Sequence, residues 1–366
     1  MRVVMLSKAL VVGAYQRKTE ELAKRGDIEL TVIVPPYWRE GKIRTELERC
    51  YTQGYQLVVE DLAFGGNYHL HFYPGLGRQL SQIRPQVVHI DEEPYNLATC
   101  HAMWQARRAG ARTLFFTWQN IYRKLPFPFS AIERYNLDRA DYAIAGSDGA
   151  REVLLQKGFR GPVAVIPQFG VDPVLYSPGA QRRRSGRFVI GYVGRLYEFK
   201  GLLTLVEAVT GLQGEWELRL MGEGPLRARL QDEAESRGIA ERTSFIPYTP
   251  SVEVPARLRE LDVLVLPSLT MPNWKEQFGR VLVEAMACEV PVIGSDSGEI
   301  PQVIGDAGLV FPEGKVEALR DCISSLMEDE NLRLRLAKAG RERVLARFTQ
   351  AKVVEETYKV YRIMAG

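Results

Sequence analysis

The chain has 366 residues, of which 46% are hydrophobic and 25% charged, as is typical of a soluble globular protein of about two domains. Its net charge of +3 is too small to predict nucleic-acid binding. No apolar run reaches the roughly 18 residues of a membrane-spanning helix. The N-terminal stretch is typical of a first strand and its loop rather than of a signal peptide.

The cysteines and histidines predict neither a disulfide nor a metal site. His69 and His71 are one residue apart, but they have no third metal ligand nearby in the sequence. The cysteines lie far apart in the sequence, which is typical of reduced thiols in a cytoplasmic protein. They are Cys50, Cys100, Cys288 and Cys322.

Short β-rich runs alternate with longer amphipathic segments in the first half of the chain. Helical patterns lie at Tyr15–Lys24, Asn96–Arg108 and Gly149–Lys157. Because this alternation is typical of a parallel sheet covered on both faces, we expect a Rossmann-like α/β domain over residues 1–172. The predicted strands are Val3–Leu6, Leu30–Val34, Val87–Ile90, Thr113–Phe116, Tyr142–Ala145 and Val163–Ile166.

A break rich in Pro, Gly and Arg, Gly170–Gly186, separates the two halves and contains the basic cluster Arg182–Arg184. It predicts a solvated linker over residues 173–187. The pattern then restarts, which predicts a second doubly wound domain over residues 188–347 and a C-terminal helix at 348–366 that packs back on the body. The two domains are expected to face each other across a cleft, with ligands beyond the carboxyl ends of the strands. The predicted strands here are Phe188–Val193, Trp216–Met221, Ser244–Pro247, Val263–Leu266 and Val292–Ser295.

Two carboxylates, Glu276 and Glu284, flank Gly279 and an apolar run. The glycine follows a strand-like segment and predicts a loop that opens into a buried helix, whose first amides can hold a phosphate. A carboxylate among apolar neighbours is costly unless it is paired. Glu284 is therefore either a ligand-binding acid or an ordinary first-turn acid that the helix dipole favours.

Two cations, Arg195 and Lys200, follow the first strand of the second half, within six positions of Gly194. Fixed positive charge at this place suits a diphosphate leaving group, although a solvated surface pair explains the same residues. Gly222 begins a second glycine turn after the next strand. This turn has two glycines, Gly222 and Gly224, but lacks the third glycine of the nicotinamide-binding fingerprint, which argues against such a site. The small residues at 295–301 form a further candidate anion loop.

Four segments of the second half, named in chain order at the end of this paragraph, resemble the donor half of the retaining family-four glycosyltransferases (glycosyl transferases group 1), which have the GT-B fold. The first half matches only in general pattern, chiefly at 87–94 and 168–172. The resemblance implies transfer of a sugar from a UDP or GDP donor to a hydroxyl acceptor with retained anomeric configuration, in glycan, polysaccharide or glycolipid synthesis. It implies a nucleotide sugar as co-substrate and no metal or other cofactor. The matching segments are GRL…KG at 194–201, GEGP at 222–225, EQFGRVLVEAMAC at 276–288 and SGEIPQVIGDAG at 298–308.

The resemblance also assigns roles to single residues. Arg195 and Lys200 would neutralise the donor diphosphate and Glu276 would contact the transferred sugar, so these three are the predicted catalytic residues. Glu284 would bind the ribose hydroxyls. The other predicted donor-binding residues are Gly13, Gly194, Gly222, Phe278, Gly279 and Arg280. One cation roughly 4 Å from the leaving phosphate contributes on the order of 4 kcal/mol at an effective dielectric of about 20, so two could replace a metal.

The chain departs from the family pattern at three places. Gly13 stands alone where relatives often have two glycines together, and Gln302 follows a proline where relatives often have Glu. Thr117, Trp118 and Gln119 occupy the position of a histidine that touches the donor sugar in relatives. We expect either that one of these three substitutes for the histidine or that the donor sits differently.

The acceptor, a sugar, glycan or lipid-linked hydroxyl, is expected on the aromatic-rich first half. Its candidate contacts are Tyr95, Tyr122 and the Thr117–Gln119 segment. The mixed basic and apolar stretch at 121–129 is expected either to rest peripherally on a membrane or to be a plain surface loop. Three other functions stay open: a GT-B nucleotide-sugar epimerase, a sugar phosphorylase, and an idle nucleotide-sugar-binding protein.

Overall fold

The computed structural model describes residues 1–41, 43–179, 186–247, 250 and 253–366. The chain divides into two compact units. The first unit holds residues 1–170 and 350–366, and the second holds residues 171–349. The basic cluster Arg182–Arg184 lies outside the described residues.

The first unit is built on a parallel sheet whose strands follow the order β5-β2-β1-β6-β7-β8-β9. Most of its central strands are buried at consecutive positions, as expected when helices cover both faces of a parallel sheet. A separate antiparallel hairpin joins β3 to β4. The strands are β1 (Arg2–Leu6), β2 (Glu29–Val34), β3 (Tyr37–Glu40), β4 (Ile43–Glu46), β5 (Gln56–Val59), β6 (Val87–Ile90), β7 (Arg112–Thr117), β8 (Tyr142–Ala145) and β9 (Val163–Val165).

The strand order of this sheet reverses at β1, which lies between β2 and β6. Met5 is in register with Val32 on one side and with His89 on the other. The loops that follow β1 and β6 therefore leave the same edge of the sheet side by side, which is where open α/β sheets bind ligands. The helices of this part are α1 (Arg17–Ala23), α2 (Leu76–Ile83), α3 (Leu97–Arg108), α4 (Phe129–Arg139) and α5 (Asp148–Gln156).

The second unit repeats this plan with the strand order β12-β11-β10-β13-β14-β15, all parallel. Ile190 pairs with Val263, so the order reverses between β10 and β13. Its strands are β10 (Phe188–Val193), β11 (Trp216–Met221), β12 (Thr243–Ile246), β13 (Val263–Leu266), β14 (Val292–Ser295) and β15 (Leu309–Phe311). Its helices are α6 (Leu202–Thr210), α7 (Arg227–Ser236), α8 (Val254–Leu258), α9 (Arg280–Ala287), α10 (Ile300–Ile304), α11 (Val316–Glu328) and α12 (Glu330–Arg347).

The last helix, α13 (Gln350–Ala365), belongs to the first unit and packs against α1. Val353, Val354 and Tyr361 are buried in the same apolar cluster as β1 and β2. The Tyr361 hydroxyl lies 2.7 Å from His89 Nδ1 on β6. Burial lowers the pKa of His89 well below its usual range, so this ring stays neutral inside the sheet–helix layer.

The predicted doubly wound α/β class is confirmed, but four strands were not predicted. The hairpin of β3 and β4 carries two charged residues on each short strand and forms a separate two-stranded sheet. β5 is a half-buried edge strand and β15 spans only three residues, so both lack the long apolar run that marks a central strand. The predicted strand at Ser244–Pro247 ends one residue earlier, since Pro247 has no N–H for the ladder.

Candidate active site

Two glycine turns bring the strand ends of the second unit close together. Gly194 follows β10 and Gly222 follows β11, with φ angles of 153° and 138°. A Cβ atom on Gly222 would lie 2.0 Å from the Gly194 carbonyl oxygen, so only glycine fits there. At this edge of the sheet, beside the point where the strand order reverses, the backbone is therefore not covered by side chains.

Lys200 and Glu276 meet at this point, because their loops follow the neighbouring strands β10 and β13. Lys200 Nζ lies 2.6 Å from Glu276 Oε2, with the two side chains 14% and 11% exposed. The Ser268 hydroxyl donates to the same oxygen over 2.9 Å. Gly201, with a φ of 66°, ends the short helical turn that carries Lys200, and a Cβ there would lie 1.9 Å from the Pro267 carbonyl oxygen. The two loops therefore interlock, and a charged pair of defined geometry results.

An aromatic stack borders this charged pair. Lys200 Nζ lies 4.8 Å from the centre of the Trp274 ring, within cation–π range. The Trp274 and Phe199 rings are 4.2 Å apart, and Phe199 stacks on Tyr197 at 5.3 Å. Lys200 is thus held between a carboxylate and an aromatic face.

Arg195 differs from Lys200 in its surroundings. Its side chain is exposed, and its guanidinium lies 5.7 Å from the Tyr197 ring. Among the residues that the structure describes, no carboxylate lies within salt-bridge distance of it. Arg195 therefore presents an uncompensated positive charge at the edge where Gly194 and Gly222 expose backbone.

Helix α9 starts beside this edge and carries Glu284. Gly279, at a φ of 74°, precedes the helix. Arg280 Nε donates to Glu284 Oε1 over 2.8 Å, and Tyr176 also hydrogen-bonds the carboxylate. Burial raises the pKa of Glu284, while Arg280 and Tyr176 oppose that rise. Phe278 turns its ring toward Phe348 at 5.7 Å, so this side chain packs in the core.

A second loop, after β14, supports Glu276 from behind. Gly298, at a φ of 58°, lies so close that a Cβ atom would be 2.0 Å from the Glu276 carbonyl oxygen. The amide of Glu299 donates to that same oxygen over 3.2 Å. The small-residue loop at 295–301 thus fixes the backbone of the acid.

The remaining predicted site residues lie in the first unit. Gly13 opens a short 3-10 helix, Gly13–Gln16, and its amide donates to Glu48 Oε2 over 2.6 Å. A Cβ atom on Gly13 would be 2.4 Å from Cys50 Sγ. The amide of Gly13, a residue predicted to bind the donor, is therefore already hydrogen-bonded inside the first unit.

The Thr117–Gln119 segment is held by an acid that the sequence reasoning did not select. Glu93 follows β6, and its carboxylate accepts from the Thr117 hydroxyl at 2.7 Å and from the Trp118 amide at 2.8 Å. Gln119 N donates to Thr117 Oγ1 over 3.1 Å. Burial raises the pKa of Glu93 to about 7, against the effect of these two donors. The segment is thus a hydrogen-bonded wall, not a free loop.

Asp91 and Glu92 complete an acidic run at this edge. Ser7 Oγ and Gln168 Nε2 donate to Asp91 Oδ2 over 2.6 and 3.0 Å. Glu92 pairs with Lys8, and His71 Nε2 lies 3.6 Å away. Burial works against the charged form, but Lys8 and His71 hold the pKa of Glu92 at about 2. Three acids in succession at the end of a buried strand were the signal that could have identified this cluster.

Tyr95 and Tyr122 lie farther along the same loops. The Tyr95 ring is 5.6 Å from His69, and burial raises the pKa of its hydroxyl. Tyr122 is 48% exposed, with Lys157 Nζ 5.8 Å from its ring. Tyr122 therefore lies on the surface, whereas Tyr95 is half-buried.

Comparisons with known proteins agree on one family. A model described as glycosyl transferases group 1 matches residues 177–343, and one described as a glycosyl transferase 4-like domain matches residues 13–168. The 2-deoxystreptamine N-acetyl-D-glucosaminyltransferase of Streptomyces fradiae is 32% identical over 65% of this chain and 59% of that protein. The alpha-maltose-1-phosphate synthase of Mycolicibacterium smegmatis is 26% identical over 80% of this chain and 78% of that protein. The match thus spans less than two thirds of the length of the first relative.

Among solved structures, HepE of Anabaena in complex with UDP has a TM-score of 0.75 at 16% identity, over 99% of this chain and 100% of that one. The same protein in complex with UDP-glucose gives a TM-score of 0.72 at 17% identity, over 99% of both chains. At these identities the likeness shows the fold alone.

Proposed function

Because the chain belongs to the group 1 glycosyltransferases and has their GT-B fold, we propose that it moves a sugar from a nucleotide diphosphate donor to a hydroxyl acceptor. The observation that carries the proposal is the cluster at the reversal point of the second sheet. There Lys200, Glu276 and Ser268 form one hydrogen-bonded group beside the exposed Arg195. Such an edge offers positive charge and bare backbone to a diphosphate and a carboxylate to sugar hydroxyls.

The proposed donor is a UDP-linked hexose, with a GDP sugar as the other option. HepE, whose fold this chain shares, was solved with UDP and with UDP-glucose, which supports the first choice. Arg195 and Lys200 would bind the diphosphate, and Gly194, Gly222 and the start of α9 after Gly279 would let its oxygens reach the backbone. Arg280 would line the phosphate loop through its backbone.

Two acids would bind the hydroxyls of the donor. Glu284, which Arg280 and Tyr176 already orient, would accept from the ribose hydroxyls. Glu276 would accept from the transferred sugar while Lys200 and Ser268 hold its other lone pairs. Each carboxylate is thus oriented before the ligand arrives, which reduces the entropy cost of binding.

The proposed reaction retains the anomeric configuration and needs no metal. The bond from C1 to the phosphate oxygen breaks and the acceptor oxygen bonds to C1 on the same face. The acceptor proton passes to the departing phosphate oxygen. Charge that develops on that phosphate would be stabilised by Arg195 and Lys200, each worth on the order of 4 kcal/mol at about 4 Å and an effective dielectric of about 20.

The proposed acceptor is a glycan or a lipid-linked sugar that contacts the first unit. Tyr95, Tyr122 and the Thr117–Gln119 wall, which Glu93 fixes, would contact it. We place the enzyme in the cytoplasm, since its cysteines are free thiols. Within the described residues, no helix combines the length and apolarity that crossing a bilayer requires.

A donor screen tests the proposal. Thermal shift and donor hydrolysis would be measured with UDP and GDP sugars, with and without a chelator. We expect one nucleotide sugar to stabilise the protein and to be hydrolysed slowly, equally well in the chelator. Release of nucleotide with a changed free sugar would indicate an epimerase. A requirement for inorganic phosphate would indicate a phosphorylase. Binding without turnover would indicate an idle nucleotide-sugar-binding protein.

Arg195→Ala adds a residue-level test. This change should lower turnover by about 100-fold or more, since a cation acting on the leaving group is lost. Arg229→Ala is the matched control, because Arg229 is also an exposed arginine of the second unit and, among the described residues, pairs only with the exposed Glu198 at 3.4 Å. Equal turnover in both variants would contradict the assignment of Arg195.

A further inference from the structure

The loop between β7 and α4 exposes apolar side chains that normally lie inside a protein. Phe127 is 84% exposed, and the prolines on either side of it are exposed as well. Tyr122, earlier in the loop, is 48% exposed. Single exposed apolar residues are common, but several exposed together in one loop form the kind of patch that marks an interaction surface.

The same loop borders a surface cavity of about 1080 Å³ that is rich in cations. Lys157 pairs with Glu133 at 2.5 Å, and Arg134 lies 3.8 Å from Asp138. Within the described part of the chain, neither Lys124 nor Arg160 has a carboxylate at salt-bridge distance. The charged residues that line the cavity are Arg123, Lys124, Glu133, Arg134, Asp138, Lys157 and Arg160, a net charge of about +3 at neutral pH.

This surface is continuous with the acceptor side of the first unit. The His69 ring lies 5.3 Å from Phe129 and 5.6 Å from Tyr95. The charge of Arg123 acts on the Tyr95 hydroxyl, where it opposes the rise in pKa that burial causes. A molecule bound at the loop would therefore lie next to the residues proposed to contact the acceptor.

We propose that residues 121–130, together with Arg134 and Arg160, dock on a bilayer that contains anionic lipid. Phe127 would enter the boundary between headgroups and acyl chains, while Lys124 and Arg160 would contact anionic headgroups. Neither signal alone gives stable attachment, but an apolar anchor with adjacent cations does. The inference rests on the proposed function, because a lipid-linked acceptor gives the docking its purpose.

Co-sedimentation of the full chain with vesicles tests the docking surface. One vesicle would be phosphatidylcholine alone and the other would contain roughly one third phosphatidylglycerol. We expect binding to the anionic vesicle only, and weaker binding in high salt because the cations are screened. Lys124→Glu with Arg160→Glu should weaken binding by more than tenfold, since each cation near the surface is worth about fivefold. Phe127→Ser should weaken it by at least about fivefold.

Matched controls come from helix α12 of the second unit. Leu334, which is 61% exposed, would be changed to Ser, and Lys338, whose side chain is 78% exposed, to Glu. Both controls should bind vesicles as the unchanged protein does. Equal losses in the controls, equal binding to both vesicles, or no binding at all would overturn the proposal. Loss of binding in inorganic phosphate with no effect of Phe127→Ser would also overturn it, in favour of a soluble anion site.

Donor hydrolysis, measured without vesicles, separates this inference from the proposed function. The loop variants should hydrolyse the donor at the unchanged rate, because none of the altered residues lies in the second unit. A protein that binds anionic vesicles but hydrolyses no nucleotide sugar would keep the docking surface and refute the transferase. A protein that hydrolyses the donor but does not bind vesicles would support the transferase and refute the docking surface.

Discussion

The Lys200–Glu276 pair should respond to mutation in two separable ways, in stability and in turnover. Lys200→Met keeps much of the side-chain length and removes the charge. Because both side chains are largely buried, Glu276 would then be left without its cation. Loss of one partner of a buried pair costs about 3–5 kcal/mol of the free energy of unfolding. The Ser268 hydroxyl still donates to the carboxylate, so we expect the lower end of that range.

The double variant Lys200→Met/Glu276→Gln should regain most of this stability. It removes the charge of Glu276 as well, and the neutral amide can still accept from Ser268. Turnover should not recover. A cation about 4 Å from the leaving phosphate is worth on the order of 4 kcal/mol at an effective dielectric of about 20, which corresponds to about a 10³-fold loss in rate.

Urea unfolding and donor hydrolysis, measured on the same protein preparations, would test both halves. Lys338→Met serves as the control, because its pair with Glu342 at 3.9 Å is exposed, and such pairs contribute about 0–1 kcal/mol. Near-normal turnover in Lys200→Met would refute the role in the reaction. Unchanged stability in that variant would refute the energetic argument for the buried pair.

Three further variants test the surroundings of the site. Burial raises the pKa of Glu93 from 4.5 to about 7, so its contribution to stability is present below pH 4.5 and is lost as the pH rises toward 7. Glu93→Gln should remove up to about 3 kcal/mol of this pH dependence of the free energy of unfolding, measured with urea. An unchanged pH profile would contradict the prediction. Tyr176→Phe removes a hydrogen bond to Glu284 and should weaken UDP binding in calorimetry by about three- to tenfold; equal affinity would show that Tyr176 does not orient the acid. Gly201→Ala would place a Cβ atom 1.9 Å from a backbone oxygen at a φ of 66°. It should lower the free energy of unfolding, measured thermally, by more than about 2 kcal/mol. Gly214→Ala is the control for backbone strain without a clash, because its φ is 87° but the nearest atom to its Cβ would be 4.0 Å away.

The central strands could be predicted because each is marked by an apolar run in its own sequence. Val87–Ile90 and Val263–Leu266 are short apolar runs between polar segments, and the structure places strands with the same bounds. β5 and β15 were not predictable in this way. They lie at sheet edges and are held mainly by pairing with β2 and β14, so their identity depends on neighbours that the local sequence does not contain.

The sequence placed the residues of the candidate site after strand ends, but it did not show which residues they would contact. Arg195, Lys200 and Glu276 all follow strand ends, a position that sequence alone suggests for ligand contacts. The bond between Lys200 and Glu276 joins residues 76 positions apart, and it exists because β10 and β13 are neighbours in the sheet. Trp274 was missed for the same reason, since only the folded loop brings its ring to Lys200.

The pairing changes how the two cations of the proposed clamp should be understood. The charge of Lys200 is largely balanced by Glu276 at 2.6 Å, so its ammonium adds little long-range field. In the proposed clamp it would act on the diphosphate at short range only. Arg195 is exposed and has no carboxylate at salt-bridge distance among the described residues. In the proposed clamp it would therefore supply the field that attracts an anionic donor, an effect that salt screens over about 8 Å at physiological ionic strength. One cation would then favour the encounter with the diphosphate and the other its alignment with the sugar, which Glu276 contacts from the same cluster.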